Sequence, residues 1–184
     1  MSPRIEGGES QPESSEIMGL RRGSRVDKMP IILGRLLAHL DEHVRVYNYD
    51  QRQGRVFPRF HGGFTAISFS SQEVRSVFDR VCDTQEYQAL RLASIGDLDE
   101  EVVTQIDSCP WDKANKGRVM VWYYENLARR CRKGSRQRQL AEERAQELLG
   151  GFQSLSRCDI IDLLEPVVDR EWHLVVEQTG RPKP

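Results

Sequence analysis

Residues 111–138 read WDKANKGRVMVWYYENLARRCRKGSRQR, and this stretch decides the fold. Its first part is apolar and aromatic: Trp111, Val119, Met120, Val121, Trp122, Tyr123, Tyr124 and Leu127. Six cations then fall within ten positions: Arg129, Arg130, Arg132, Lys133, Arg136 and Arg138, with no acid among them. The plain reading is a central helix with an apolar half and a basic half. It starts at about Asp112 or Asn115 and runs to Lys133. A cationic last turn suits the negative end of the helix dipole. Gly134 stands where a left-handed residue would close the helix, and Ser135 can cap the next one.

Downstream, Ala141, Ala145, Leu148 and Phe152 share one helical face, and Gly150-Gly151 loosens its end. Ser156 and Asp159 open a further helix carrying Ile160, Ile161, Leu163 and Leu164. Pro166 is expected to break it or to start a new first turn, because proline lacks an N–H and clashes with the preceding turn. Residues 171–178 fit helix or strand, with helix preferred. Residues 179–184 read as a frayed C-terminus.

Upstream, Pro30 suits a first helical position. Ile32, Leu33, Leu36, Leu37, Leu40 and Val44 recur at helical spacing, which predicts a helix over 30–43. The period then changes. Three short β-branched and aromatic runs, about 44–49, 55–60 and 64–69, predict an antiparallel meander, with Pro58 leaving a free side or a break in the second strand. Ser70-Ser71-Gln72-Glu73 is a capping-box pattern, in which a serine oxygen accepts from a first-turn N–H and Glu73 reaches back. Val74, Val77, Phe78 and Val81 form the stripe of the helix that follows. Another helix is predicted near 85–94. The Asp97-Leu98-Asp99-Glu100 segment caps one more, ended by Pro110. The expected fold class is therefore α+β and predominantly α-helical. It has six or seven helices and a small three-stranded antiparallel meander in the N-terminal third.

The chain has 184 residues, about the size of one domain. Residues 1–28, rich in Ser, Gly, Glu and Pro, are expected to form a disordered tail, and 29–178 a single mostly helical domain. The 27 Lys and Arg balance 28 Asp and Glu, for a net charge of −1. That excludes a wholesale nucleic-acid coat or a polybasic membrane binder and makes any anion-binding role local. Four cysteines lie far apart, with no metal or redox spacing. An intracellular protein, cytoplasmic or nuclear, with reduced thiols is expected.

Few constellations carry chemistry. His39-Leu40-Asp41-Glu42-His43 has the H-x-x-E-H form of a zinc hydrolase, with two histidines four apart and Glu42 as a base. No third ligand has a compelling context, and a solvated helix end accounts for the motif. His61-Gly62-Gly63 is part of an oxyanion-loop pattern, but no nucleophile elbow exists, and a tight turn explains both glycines. Cys82, Cys131 and Cys158 sit in helical patterns and read as small buried apolar residues. No cofactor and no metal is expected.

The remaining signals concern partners. Trp122 and Tyr123 could stack bases while the six cations at 129–138 hold phosphates. Trp122, Tyr123 and Tyr124 sweep about 200° of a helix, so they cannot all face the core. The segment 83–107 carries seven acids and one base, Arg91. This acidic patch could pair with the basic run internally or face a partner. Arg21-Arg22-Gly23-Ser24-Arg25 and Arg132-Lys133-Gly134-Ser135-Arg136 both place a serine after paired cations. Ser24 and Ser135 are thus candidate phosphorylation sites. The leading reading is a non-enzymatic interaction or regulatory protein that presents a basic helix end and an acidic face to another protein. RNA or a single strand is the alternative partner through 129–138, and a zinc hydrolase at His39/Glu42/His43 is a weaker one.

Overall fold

The computed structural model describes residues 27–48, 59–61, 64–66 and 71–179. Among these, the chain forms seven helices and two short strands. They run α1 Met29–Asn48, β1 Arg59–His61, β2 Phe64–Ala66, α2 Gln72–Cys82, α3 Gln85–Ile95, α4 Glu101–Ser108, α5 Lys113–Arg130, α6 Arg136–Leu149 and α7 Arg157–Thr179. The expected disorder of 1–28 concerns residues that, up to 26, lie outside this description. So do residues 180–184 of the expected frayed end. Asp27 and Lys28, assigned to the tail on composition, belong to the described body. The Asp27 carboxylate accepts the Met29 N–H at 3.0 Å and pairs with Arg91 at 2.7 Å.

The three-stranded meander is not present. Residues 44–48 of its expected first strand, 44–49, are the C-terminal part of α1, which continues as helix to Asn48. No Gly or Pro interrupts the chain between His43 and Asn48. Each added residue gains a backbone hydrogen bond, while valine and tyrosine lose only tenths of a kcal/mol in helix propensity, at most about 0.7. Of the other two strands, Arg59–His61 and Phe64–Ala66 pair antiparallel, with Phe60 opposite Thr65, while 55–58 and 67–69 lie outside the described residues. The expected break at Pro58 lies outside the described residues. The fold is thus predominantly helical, with a three-residue ladder where a meander was expected.

The centre is α5, packed along α6 on one side and α3 on the other, while α2 lies against α7. Asp112 caps α5 by accepting the Asn115 N–H at 2.7 Å. Val119, Tyr123 and Leu127 form its buried stripe. It ends at Arg130, earlier than the expected Lys133. Cys131, fully buried, turns the backbone into an extended conformation at its C-cap. An inward cysteine at that point releases Arg132 and Lys133 into a turn. Gly134 takes a φ of 81° there, as its position predicts.

α7 overturns the expected break. It runs unbroken from Arg157 through Pro166 to Thr179. Ile160, Leu163, Leu164, Val167, Trp172 and Val175 keep one buried stripe on both sides of the proline. Proline in a helix interior costs about 3 kcal/mol, whereas each buried Leu, Ile or Val gains about 1.5–3 kcal/mol. Packing therefore carries the helix on across the lost hydrogen bond, and residues 171–178 are helical.

The inward face of α1 is carried by Met29, Leu33 and Leu37. Leu36, Leu40 and Phe78, expected in the core, are half-buried against it, while Val77, Val81, Ile106 and Leu164 are fully enclosed. An ionic chain ties α2, α3 and α7 together: Arg80 to Glu171 at 2.9 Å and Arg170 to Glu86 at 2.9 Å.

Candidate anion-binding surface

The basic run spans the end of α5, a five-residue turn and the start of α6, and its six cations do not act alike. Arg130 donates to the Gly96 carbonyl at 3.3 Å, which fixes the end of α5 against the end of α3. Gly96 sits at φ 62°, and a Cβ there would come within 2.7 Å of the Asn126 and Leu127 backbone. Arg138 pairs with Glu142 at 2.7 Å, one turn on along α6. Arg132, Lys133 and Arg136 are exposed, and among the described residues they form no ion pair. Arg136 and Arg138 also lie in the first turn of α6, at the positive end of its dipole, where cations are disfavoured and anions favoured.

The expected pairing of this run with the 83–107 acids does not form among the described residues. Three of those acids are used inside the fold, Asp97 by accepting the Asp99 N–H at 3.1 Å. Glu86 is buried and bound to Arg170. Burial works to raise the Glu86 carboxyl, and the Arg170 hydrogen bonds overcome it, so its pKa lies below the ordinary carboxylate range. Asp99 accepts the Glu101 N–H at 3.0 Å and so satisfies the start of α4. Asp83, Asp99, Glu100, Glu101 and Asp107 stay exposed, and Asp97 is half-buried.

The aromatic pair divides. Tyr123 is 3% exposed and donates its hydroxyl to the Asp97 carbonyl at 2.7 Å, so it is a core residue and offers no stacking face. Trp122 is half-buried and lines a cleft of about 640 Å³ between α1, α5 and α7. Four cations surround this cleft: Lys28, Arg35, Arg129 and Arg157. Its apolar lining comes from Ile31, Ile32, Leu155 and Ile160, and among the described residues no carboxylate lines it. Arg129, the one member of the basic run that reaches the cleft, donates to the Asn126 side-chain oxygen at 3.3 Å. Sequence reasoning missed Lys28, Arg35 and Arg157. They are single cations on two separated segments, the start of α1 and the start of α7, and only the packing of these around α5 gathers them.

Ser135 is the N-cap of α6; its hydroxyl accepts the Arg138 N–H at 3.2 Å. Ser24 lies outside the described residues. In the HLDEH motif, α1 keeps His39 and His43 one turn apart on helix. His39 is exposed, whereas Asp41 is 3% exposed and accepts the Ser71 N–H at 2.8 Å. The side chains of Glu42 and His43 lie outside the described residues, as does the Gly62-Gly63 pair. No group of three His, Cys, Asp or Glu able to hold a metal occurs among the described residues.

The cysteines are free thiols. Burial pushes Cys82 and Cys109 up to about 11 and raises Cys131. A buried, protonated thiol is a poor nucleophile. Cys158 differs from its expected buried state: it is exposed in the first turn of α7. No described helix is long and apolar enough to cross a membrane. Comparison with known families, characterised proteins and solved structures finds no match.

Proposed function

We propose that this is a non-enzymatic interaction protein that engages an anionic segment of a partner protein through the turn between α5 and α6. The observation that carries the reading is the set Arg132, Lys133 and Arg136. These three cations are exposed, close in sequence and without a carboxylate partner in the described fold. Like charges so placed repel one another, and the start of α6 adds positive potential beside them. An external anion relieves both. The exposed acids Asp99, Glu100 and Glu101 offer an opposite face to a second contact. The reading places the protein inside the cell, in cytoplasm or nucleus, where its thiols stay reduced.

Ser135 gives the surface a means of control. A phosphate on this N-cap would sit at a helix N-terminus among the same cations, where it is electrostatically favoured and cancels their charge. A single-stranded nucleic acid is the second reading. It is favoured by the half-buried indole of Trp122 near Arg129, since aromatic faces stack on any base.

The test is capture of partners from lysate by the intact chain and by a variant with Arg132, Lys133 and Arg136 all changed to Gln, with and without ribonuclease. Loss of a ribonuclease-resistant protein partner in the variant supports the protein reading. Loss of a ribonuclease-sensitive one moves the assignment to nucleic acid. An identical partner set for both chains would retire the surface as a binding site.

A further inference from the structure

We propose that the cleft between α1, α5 and α7 is a docking site for a short amphipathic acidic peptide segment of a partner protein. The inference deepens the anionic-partner reading but rests on different residues, sharing none of the three exposed turn cations.

The cleft combines two features. Its lining includes Ile32, Leu155, Ile160 and Trp122, an apolar set that takes aliphatic side chains. Around it stand Lys28, Arg35, Arg129 and Arg157, and among the described residues no acid lines it. The nearest acid in sequence, Asp27, is already committed to Arg91 at 2.7 Å and to the Met29 N–H. Arg129 donates only to a neutral amide, at 3.3 Å, and among the described residues Arg35 and Arg157 form no ion pair. A half-apolar cleft ringed by cations with no carboxylate in its described lining is complementary to a ligand that carries apolar and anionic groups together.

The spread of the cations decides the kind of ligand. Lys28, just before α1, and Arg35, within it, are seven positions apart. At about 1.5 Å of rise per residue, that separates them by about 10 Å. Arg129 and Arg157 approach from two other helices. Charges dispersed in this way do not converge on one phosphate group. They match carboxylates spaced along a peptide, with apolar side chains between them directed to the floor. Aliphatic residues outnumber the single indole in that floor, which also favours leucine-like anchors over stacked bases. A strand of nucleic acid is therefore the outcome to be tested against.

The experiment uses the full chain and a fluorescein-labelled peptide of about twelve residues, built from Leu and Glu so that leucines recur every three or four positions. The comparison ligands are the same peptide with Gln for Glu, and a fluorescein-labelled oligouridylate of similar length. Fluorescence anisotropy should give saturable binding of the Glu peptide and at least about tenfold weaker binding of the Gln peptide. Arg35→Gln with Arg157→Gln should weaken the Glu peptide about tenfold, because two exposed charge contacts are lost. Both arginines are exposed, so an unchanged melting temperature shows that the fold survives. Ile31→Ser, on the half-buried lining, should weaken both peptides, a result that charge alone would not give. The variant of Arg132, Lys133 and Arg136 should keep peptide binding at the cleft. Absence of saturable binding, an unchanged affinity in the double variant, or tighter binding of oligouridylate than of the Glu peptide would overturn the proposal. If the turn variant loses the lysate partner while the cleft variant keeps it, the surface reading stands and this inference alone fails.

Discussion

The carboxylate of Asp41 on α1 accepts the backbone N–H of Ser71, the N-cap of α2, at 2.8 Å and thirty residues away in sequence. In a capping box that N–H is satisfied by the N3 side chain. Here Glu73 instead accepts from the Ser71 hydroxyl at 2.9 Å, and a buried acid from another helix does the work. The middle of the HLDEH motif is thereby a structural joint. Asp41→Ala should cost about 1–3 kcal/mol, the penalty for a buried donor left unpaired. His39→Ala, at an exposed position, should change stability by less than about 0.5 kcal/mol. Urea denaturation of both variants measures the contrast. Elemental analysis of the purified protein is expected to find no stoichiometric zinc.

Two glycines with positive φ should respond differently to alanine. Gly134 has open space around its would-be Cβ, so Gly134→Ala meets only the left-handed backbone penalty, about 1–2 kcal/mol. Gly96 meets the same penalty, and its Cβ would also lie 2.7 Å from the backbone of α5. Backbone cannot swing away as a side chain can, so Gly96→Ala should cost more than about 3 kcal/mol. Equal melting temperatures for the two variants would refute the close approach of α3 and α5.

Helical elements were legible wherever a cap and a stripe agreed. Ser71, Asp112 and Ser135 each accept a first-turn N–H, as their residue types and positions suggest. The meander was misread because β-branched and aromatic residues after His43 looked like a change of period. Local propensity there is weaker than continuation of an existing helix. Pro166 was misread for the opposite reason: the local breaker is overridden by tertiary packing of the stripe around it. Of the candidate surface, the turn cations stood out as a run in sequence. The cleft did not, since Arg35 and Arg157 become neighbours of Arg129 only through the fold.

The Glu86–Arg170 pair predicts a pH-dependent difference. Glu86 is buried and its pKa lies below the ordinary carboxylate value, so its pairing stabilises the fold above about pH 4.3 and is lost as pH falls below that. In Arg170→Gln the guanidinium no longer offsets burial, and only the backbone hydrogen bond still holds the carboxyl down, so its pKa rises. The variant should therefore be destabilised by about 1–3 kcal/mol at pH 7. That is less than the 3–5 kcal/mol of a fully enclosed pair, because the Arg170 side chain is 48% exposed. The gap should shrink as pH falls toward 4, where the carboxyl takes up a proton. Chemical denaturation at pH 7, 5 and 4 checks the sign; a gap that widens on acidification would exclude Glu86 as the cause.

The thiols should separate cleanly by reactivity. Cys158 is exposed, while Cys109 and Cys131 are buried and have raised pKa values. A thiol at about 11 carries about a hundredth of the thiolate of an ordinary cysteine near pH 7.5. Iodoacetamide should thus label Cys158 first in the native protein and reach Cys109 and Cys131 only with unfolding. Mass spectrometry of a time course reads the order. Early labelling of Cys131 would mean that the turn after α5 opens without global unfolding.

The basic turn gives the prediction that separates an internal role from an external one. Were Arg132, Lys133 and Arg136 held by the chain's own acids, changing all three to Gln would lower stability. In the described fold they have no such partners, and the positive start of α6 works against them. Removing three mutually repelling charges should leave the melting temperature unchanged or raise it slightly, with a gain below about 1 kcal/mol at the surface. Anion binding should move the other way. On a single-stranded probe each phosphate contact contributes about −0.7 to the slope of log affinity against log salt, so losing three flattens it by about two. An acidic peptide should show a smaller loss, about tenfold at low salt and little at high salt, because exposed pairs are screened beyond about 10 Å at 0.1 M. A marked fall in melting temperature, with the salt slope intact, would assign the three cations to the fold and leave the cleft at Trp122 to account for any anion binding.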